Sequence, residues 1–444
     1  MQTTAANERE AAEREATAEP TGRPINTELA GRLLDVLESK EDHEVADRPV
    51  AAEALLADAL RERASDIHLD PVEDGIGVRM RIDRVMRDAA MLGPRQQGLL
   101  VNQFKMLAGI DPVAQFNADE ARFRFEYEGR EIDVRLALIP TLEGEKVTLR
   151  ILDPVRIISR MNELGLDEDD LERIQRWFVG LGGIFIVVGP VGSGKTTTLY
   201  SLLHELKLKE CSVCTLEDPI EYSVEGVNQV EIDEEHGLTF ASGVVSLARH
   251  DPDVVLVGEL RDAATAEAAY GAAALGRTIL TTAHGRDTAG AVTGLRYHGL
   301  SDRDIATTLS VVISQRLVRK LCPHCRRQSE PTEEQRKWCE ASGLSVPDQV
   351  WEAEGCDECR GSGYLGQTGV FEVWRLVEDD YHLLLEGATE REIRDSLASR
   401  GQRQLLNDAL EKVAQGTTSL AEVQNLHFAG PSFASRSTRE STEE

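Results

Sequence analysis

The chain has 444 residues, of which 49 are basic and 78 acidic, so its formal net charge is −29. With 41% hydrophobic and 29% charged residues the chain is typical of globular proteins, which excludes a fibrous or wholly disordered protein, and its length predicts about three domains. The negative charge disfavours non-specific binding to nucleic acid, and no run of about 20 apolar residues is present that would span a bilayer.

The two ends of the chain are predicted to be loosely structured. Residues 1–46 are predicted to be a mostly disordered segment, because about the first 25 of them are rich in alanine, glutamate and threonine without apolar periodicity. Within it, Asn26 is a candidate cap for a short helix that either docks on another surface or lies free in solvent. The apolar face of this helix would comprise Leu29, Leu33, Val36 and Leu37. Residues 429–444 are rich in serine, threonine and glutamate and indicate a disordered tail.

Residues 47–153 combine helical and strand patterns and predict an α+β domain. A helix is expected at 51–63. Apolar residues alternate with arginines at 78–82, which is the period of a half-buried strand. Two more alternating runs, at 123–127 and 132–136, are separated by a glycine-containing turn and predict a β-hairpin.

A linker at 154–165 leads into a second domain at 166–316. Short β-branched runs alternate there with helical segments, which predicts βαβ units and a largely parallel sheet with helices on both faces. These runs lie at 184–188, 212–216, 254–257 and 278–282. A cysteine-bearing module is expected at 317–370 and a mostly helical region at 371–428.

The most specific motif follows the first of these strands. Residues 189–196 are Gly-Pro-Val-Gly-Ser-Gly-Lys-Thr, the P-loop pattern G-x-x-x-x-G-K-[ST] between a strand and a helix. In such a loop, glycines let main-chain N–H groups converge on phosphate oxygens at a helix N-terminus. Lys195 is expected to bind the β- and γ-phosphates of ATP, and the Thr196 hydroxyl to ligate Mg²⁺. The predicted nucleotide-binding residues are Gly189, Pro190, Val191, Gly192, Ser193, Gly194, Lys195, Thr196 and Thr197.

Acidic residues follow two other predicted strands. Glu259 ends an apolar run that begins after Asp253, as in a Walker B strand, and is predicted to hold Mg²⁺ through water or to activate the attacking water. Three further acids are candidates for positioning the metal or water, namely Glu217, Asp218 and Glu221. The alternative for these three acids is a solvated acidic turn.

His284 comes directly after the strand predicted at 278–282. Because parallel strands end at the same edge of a sheet, this side chain is expected to reach the crevice that contains the P-loop. It is a candidate sensor of the γ-phosphate, and the alternative is a structural histidine.

Cysteine spacing predicts a metal site. The seven cysteines fit a reducing cytosol better than a disulfide framework, and the N-terminus lacks the apolar core of a secretory signal, so a cytoplasmic location is expected. Two C-x-x-C pairs have the spacing of a tetrahedral, structural Zn²⁺ site, formed by Cys322, Cys325, Cys356 and Cys359. His324 is an alternative ligand, whereas Cys339 is expected to be a bystander. A third pair, Cys211 and Cys214, lies on a predicted strand and is assigned to the core.

Together these motifs resemble the secretion ATPases of the type II secretion and type IV pilus-assembly family, in the subgroup that carries a tetracysteine insertion. The likeness runs from about residue 49 to residue 427. Its further matching stretches lie at 65–68, 78–83, 129–135 and 144–150 in the first domain and at 215–222, 237–241 and 257–262 in the second.

The resemblance implies an α/β fold in which a RecA-like P-loop ATPase domain is preceded by a PAS-like α+β domain and carries a small zinc-binding insertion and a helical C-terminal region. It implies a cytoplasmic homohexamer that uses ATP, Mg²⁺ and Zn²⁺ and works at an inner-membrane platform protein. The implied function is hydrolysis of ATP to power pilin or pseudopilin assembly. Arg135 and Arg150 would then reach the γ-phosphate; without the resemblance, both would be assigned to a solvated strand face.

The sequence departs from the family pattern in three places. The usual Leu-His-Thr-Asn is Ala-His-Gly-Arg at 283–286, and the usual Gln-Asp-Gly-Arg is Asp-Glu-Ala-Arg at 119–122. Most members also carry a larger domain where this sequence has residues 1–46. An alternative function is therefore a nucleotide-binding scaffold that hydrolyses little ATP. An ATPase of DNA uptake or conjugation is a further alternative, which the net charge of −29 disfavours.

Overall fold

The computed structural model describes residues 49–112, 118–157, 160–207 and 211–426. The chain divides into two compact units, of which the first ends at Asp153 and the second begins at Pro154. The short helix predicted after Asn26 and the tail predicted at 429–444 lie outside the described residues. Within the described ranges, none of the helices has both the length and the apolar character that a bilayer span requires.

The first unit is built on a six-stranded antiparallel sheet with the strand order β3-β2-β1-β6-β5-β4. Its elements are α1 (Val50–Arg61), β1 (Ala64–Val72), β2 (Gly75–Ile82), β3 (Val85–Leu92), α2 (Pro94–Leu107), β4 (Asp119–Tyr127), β5 (Arg130–Thr141) and β6 (Gly144–Leu152). The predicted hairpin is present as β4 and β5, and the alternating segment at 78–82 lies in β2.

One face of this sheet is apolar and the other is charged. Val78 and Met80 are buried in a core shared with α1 and α2, whereas Arg79 between them belongs to the opposite, more exposed face. Gln103 of α2 accepts a hydrogen bond from the main-chain N–H of Ala51 at 2.9 Å. This bond satisfies a donor at the first turn of α1, where no intrahelical acceptor is available.

The second unit contains a seven-stranded sheet with the order β15-β12-β7-β11-β10-β8-β9. Its elements up to β12 are α3 (Pro154–Ile157), α4 (Glu168–Val179), β7 (Gly183–Val188), α5 (Lys195–Lys207), β8 (Val213–Glu217), β9 (Asn228–Glu231), α6 (Phe240–Leu247), β10 (Val254–Val257), α7 (Ala263–Ala274), β11 (Thr278–Ala283), α8 (Thr288–Tyr297), α9 (Asp302–Thr308) and β12 (Leu309–Leu321). The remaining elements are β13 (Arg326–Ser329), α10 (Glu333–Ala341), β14 (Val350–Ala353), β15 (Tyr364–Arg375), α11 (Glu378–Leu385), α12 (Glu390–Ser399), α13 (Leu405–Ala414) and α14 (Leu420–Gln424).

The centre of this sheet is parallel and buried on both faces. β7 lies between β12 and β11 and runs parallel to both. Ile184 and Ile186 of β7 belong to one apolar core, and Phe185 and Val187 belong to another. Alternate residues of the strand therefore pack on opposite sides, which explains why the predicted strand is a continuous apolar run.

The cysteine module is shorter than the predicted 317–370. β12 continues to Leu321 and β15 begins at Tyr364, and these two strands pair antiparallel within the seven-stranded sheet. The module is an insertion at 322–363 that contains α10 and the paired strands β13 and β14. Helical structure begins after Arg375 instead of at 371, because β15 takes up the intervening residues. The pairing joins segments about fifty residues apart and leaves no local signal in the sequence.

Candidate active site and metal centre

The P-loop connects the end of β7 to the beginning of α5, and its geometry requires glycine at three positions. Gly192 and Gly194 have φ angles of +74° and +87°, in the left-handed region that side chains disfavour. A Cβ atom on Gly189 would lie 2.5 Å from Ser193 Oγ and 2.6 Å from the main-chain oxygen of Gln315. The loop is therefore packed closely where it leaves β7 and turns sharply into the N-terminus of α5, a geometry suited to binding an anion.

The side chain of Lys195 folds back over this loop. Its Nζ donates to the main-chain oxygens of Gly189 at 2.9 Å and Pro190 at 3.1 Å. Burial, and then the neighbouring Arg316, lower the pKa of Lys195. Thr196 follows in the first turn of α5 and is exposed. Lysine and threonine side chains thus lie where a phosphate and its counterion would be expected to bind.

Arg261 joins the two acidic motifs at this edge of the sheet. Its Nη1 donates to Asp218 Oδ2 at 2.8 Å, and its Nε donates to Glu259 Oε1. β8 and β10 are parallel neighbours, so the two acids lie beyond adjacent strand ends. Arg261 is not among the residues predicted above. The feature of the sequence that could have identified Arg261 as a site residue is its position two residues after Glu259.

Glu217 is buried at the end of β8, and protein donors occupy its carboxylate. Thr215 Oγ1 donates to Oε1 at 2.5 Å, Gln229 Nε2 donates to the same oxygen at 3.1 Å, and the Tyr200 hydroxyl donates to Oε2. Burial, and then the Glu217 carboxylate, raise the pKa of Tyr200, which keeps this phenol a donor. Because Tyr200 belongs to α5, these bonds connect the P-loop helix to β8. Glu221, four residues further on, is half-buried.

Replacing Glu217 with alanine is expected to lower the stability of the second unit by about 3 kcal/mol, because three donors around a buried site lose their acceptor. Urea unfolding followed by tryptophan fluorescence measures the loss. Glu267→Ala removes an exposed acid on α7 and is the matched control, with an expected change within about 0.5 kcal/mol. Wild-type stability in Glu217→Ala would contradict this account of the carboxylate.

His284 is exposed directly after β11. β11 pairs with β7 so that Ala283 is opposite Val188, the last residue before the P-loop. The loop that follows His284 is held by β12, since Arg316 Nη2 donates to the main-chain oxygen of Arg286 at 2.9 Å. The histidine is therefore at the same edge of the sheet as the P-loop.

Arg135 and Arg150 lie on the more exposed, charged face of the first unit. They are directly opposite each other on β5 and β6, and Arg122 of β4 is opposite Arg135. Arg150 Nε donates to Asp66 Oδ1 at 3.0 Å, and its side chain is 62% exposed. Arg122, Arg135 and Arg150 therefore form a cross-strand row on β4, β5 and β6.

The four predicted cysteines form a compact cluster. Their Sγ atoms all lie within 4.8 Å of one another, and neighbouring pairs are 3.7 to 3.8 Å apart. Tetrahedral Zn²⁺ with bonds of about 2.3 Å places its sulfurs about 3.8 Å apart, so the cluster fits this ion. Burial opposes ionisation of Cys359, but N–H groups of Cys356 and Gly363 that donate to its Sγ at 3.1 Å help to lower its pKa to about 6.

The remaining cysteines and His324 are not members of this cluster. Cys339 is buried in an apolar core formed by α10 and the C-terminal helices, as expected for a bystander. Cys214 is buried in β8, and burial raises the pKa of its thiol. Cys211 is half-buried and precedes β8, which begins at Val213, so it does not lie on the strand as predicted.

These features define a class of protein. A P-loop at the carboxyl end of a buried parallel strand, with carboxylates beyond nearby strand ends, is the arrangement of P-loop nucleoside triphosphatases. The sheet order and the two apolar cores on opposite faces of the sheet agree with the predicted RecA-like fold.

Comparison with known proteins identifies the family. Residues 39–425 match the family described as Type II/IV secretion system protein. The chain is 37% identical over 397 residues to the Type II secretion system ATPase E of Vibrio cholerae, which covers 88% of this chain and 77% of that protein. It is 33% identical over 417 residues to the Type IV pilus assembly ATPase PilB of Myxococcus xanthus, with coverage of 90% and 73%.

A solved structure has the same fold. The Legionella pneumophila ATPase DotB matches with a TM-score of 0.63 and 21% identity, covering 85% of this chain and 95% of that one. The chain is therefore a P-loop ATPase with a RecA-like fold. It belongs to the type II/IV secretion system protein family.

Proposed function

We propose that this ATPase is a cytoplasmic, homohexameric motor that powers assembly of pseudopilins or pilins at an inner-membrane platform protein. Its relatives are named for type II secretion and for type IV pilus assembly, which supports this role. The observation that carries the proposal is the P-loop with Lys195 folded over it, at the same sheet edge as Glu259. Conversion of ATP to ADP and phosphate there supplies the free energy for polymerisation.

Residues 189–197 bind the triphosphate in this proposal. When the nucleotide binds, Lys195 gives up its hydrogen bonds to the two loop carbonyls and donates hydrogen bonds to oxygens of the β- and γ-phosphates. Thr196 holds Mg²⁺, which neutralises phosphate charge. Glu259 orients the attacking water and accepts its proton, and Arg261 must release this carboxylate before it does so.

The other candidate residues act around this centre. Glu217 acts indirectly, by holding the P-loop helix through Tyr200. The side chains proposed to act on the γ-phosphate or on the attacking water are Asp218, Glu221, His284, Arg135 and Arg150. Cationic groups among them would stabilise the charge that the phosphoryl oxygens carry in the transition state.

The cysteine cluster is proposed to hold a structural Zn²⁺. Four thiolates complete a tetrahedral shell and leave no open position for a substrate. This metal would therefore support the fold of the inserted module and take no part in hydrolysis.

Phosphate release with MgATP tests the proposal. Glu259→Gln is expected to lower kcat by about 100-fold or more while ATP binding is retained, because the amide still occupies the site but accepts no proton. Glu267→Gln on α7 is the matched control and is expected to keep the wild-type rate.

Two outcomes would contradict the proposal. A wild-type rate in Glu259→Gln would remove this residue from its assigned role. No turnover by the wild-type protein, even when assembled with its membrane platform, would favour the nucleotide-binding scaffold.

A further inference from the structure

Strand β12 lies directly beside the strand that carries the P-loop. It runs parallel to β7, with Ser314 opposite Val188, so that Gln315 is level with Gly189 at the beginning of the loop. The main-chain oxygen of Gln315 is 2.6 Å from the position that a Cβ atom on Gly189 would occupy. The first residue of the loop is therefore in close contact with β12.

The side chain of Gln315 extends this contact to the other end of the loop. The residue is 2% exposed, and its Oε1 accepts a hydrogen bond from Thr198 Oγ1 at 2.6 Å. Its Nε2 lies 2.7 Å from the position of a Cβ atom on Gly194. Gln315 thus touches Gly189, Gly194 and the first turn of α5, and Thr198 is itself fully buried.

These contacts connect the two elements that carry the phosphate-binding groups, the end of β7 and the beginning of α5. The N–H groups of the loop and the side chain of Lys195 converge on one anion only if the end of β7 and the beginning of α5 keep a fixed separation. A buried, hydrogen-bonded amide has one orientation, because any other leaves polar groups unsatisfied. Gln315 supplies such an amide between the two elements, from a strand more than a hundred residues further along the chain.

We propose that Gln315 is a positioning residue of the ATPase site, which fixes the shape of the P-loop through Thr198 and Gly194 without touching the nucleotide. This inference rests on the proposed role of residues 189–197 in binding the triphosphate. The sequence gives no sign of it, because neither the P-loop motif nor the other matching stretches include residue 315.

Titration with MgADP and steady-state kinetics test this role. Gln315→Met keeps a similar volume and removes the hydrogen-bonding groups, and its Kd for ADP is expected to rise about tenfold, with a parallel fall in kcat/KM. Thr198→Val removes the same hydrogen bond from the other side and is expected to have the same effect. The double variant should bind ADP no more weakly than either single variant, because all three lack one shared interaction. Thr198→Ser keeps the hydroxyl and is expected to bind like the wild type.

Ser310→Ala is the matched control. It removes another β12 hydrogen bond, from Ser310 Oγ to the main-chain oxygen of Gly182 at 2.8 Å, at the far end of β7. Its ADP affinity is expected to equal that of the wild type. Wild-type affinity in Gln315→Met and Thr198→Val, or losses that simply add in the double variant, would overturn the inference. Failure of the wild-type protein to bind ADP would overturn the nucleotide site itself, and this inference with it.

Discussion

Replacement of Lys195 by alanine is expected to reduce ATP hydrolysis by about 1000-fold or more. The ammonium group donates two hydrogen bonds to the loop carbonyls of Gly189 and Pro190. Positioned cations that stabilise a phosphoryl transition state contribute factors of about 10³ to 10⁵ to the rate. Phosphate release at saturating MgATP measures the loss, and ADP titration shows how much of it is lost binding.

The control for this variant is Lys320→Ala. Lys320 is an exposed lysine on β12, and its removal changes the net charge by the same amount. It is expected to hydrolyse ATP at the wild-type rate. Both proteins should keep their zinc content, because the cysteine cluster does not involve either lysine. Retained hydrolysis in Lys195→Ala would refute the assignment of the phosphate site.

Replacement of Cys356 by serine is expected to release zinc and to unfold the segment 322–363. Zinc binding contributes about 10–16 kcal/mol to the folding of small zinc modules, so a cluster with three thiolates loses most of this support. Elemental analysis measures zinc per chain, which should be one in the wild type and close to zero in the variant. Limited proteolysis should then cut between β12 and β15.

Cys339→Ala is the matched variant for this experiment. Cys339 is a buried thiol of the same inserted segment that lies outside the cluster, so its loss is expected to leave one zinc per chain. Equal zinc content in Cys356→Ser and Cys339→Ala would show that the four thiols are not the ligands. Absence of zinc from wild-type protein purified without chelators would contradict the metal assignment as a whole.

The parts of the site that were predictable are those encoded by neighbouring residues. The P-loop was identified because its glycines, Lys195 and Thr196 occupy a fixed pattern between a strand and a helix. The cysteine cluster was identified for the same reason, since two C-x-x-C pairs are specific even before their approach in space is known.

The contacts that fix these residues were not predictable, because they join distant segments. Tyr200 and Gln229 donate hydrogen bonds to Glu217 from two other elements, α5 and β9. Gln315 meets Thr198 across 117 positions. Such contacts depend on which strands become neighbours, and the order of strands in a sheet is set by packing of the whole unit and has no local signature.

The pairing of β12 with β15 has a consequence for how the inserted module can be gained or lost. Leu321 and Tyr364 are opposite each other in adjacent antiparallel strands, so the chain leaves the sheet and returns to it at one point. A short turn between these two residues would close a hairpin and leave the seven strands in place. Loss of the module would instead expose apolar surface on α13 and α14, because their Val413 and Leu420 share an apolar core with Val350 of the module. In a chain without the module, we expect polar side chains at the positions of these helices that would then face solvent.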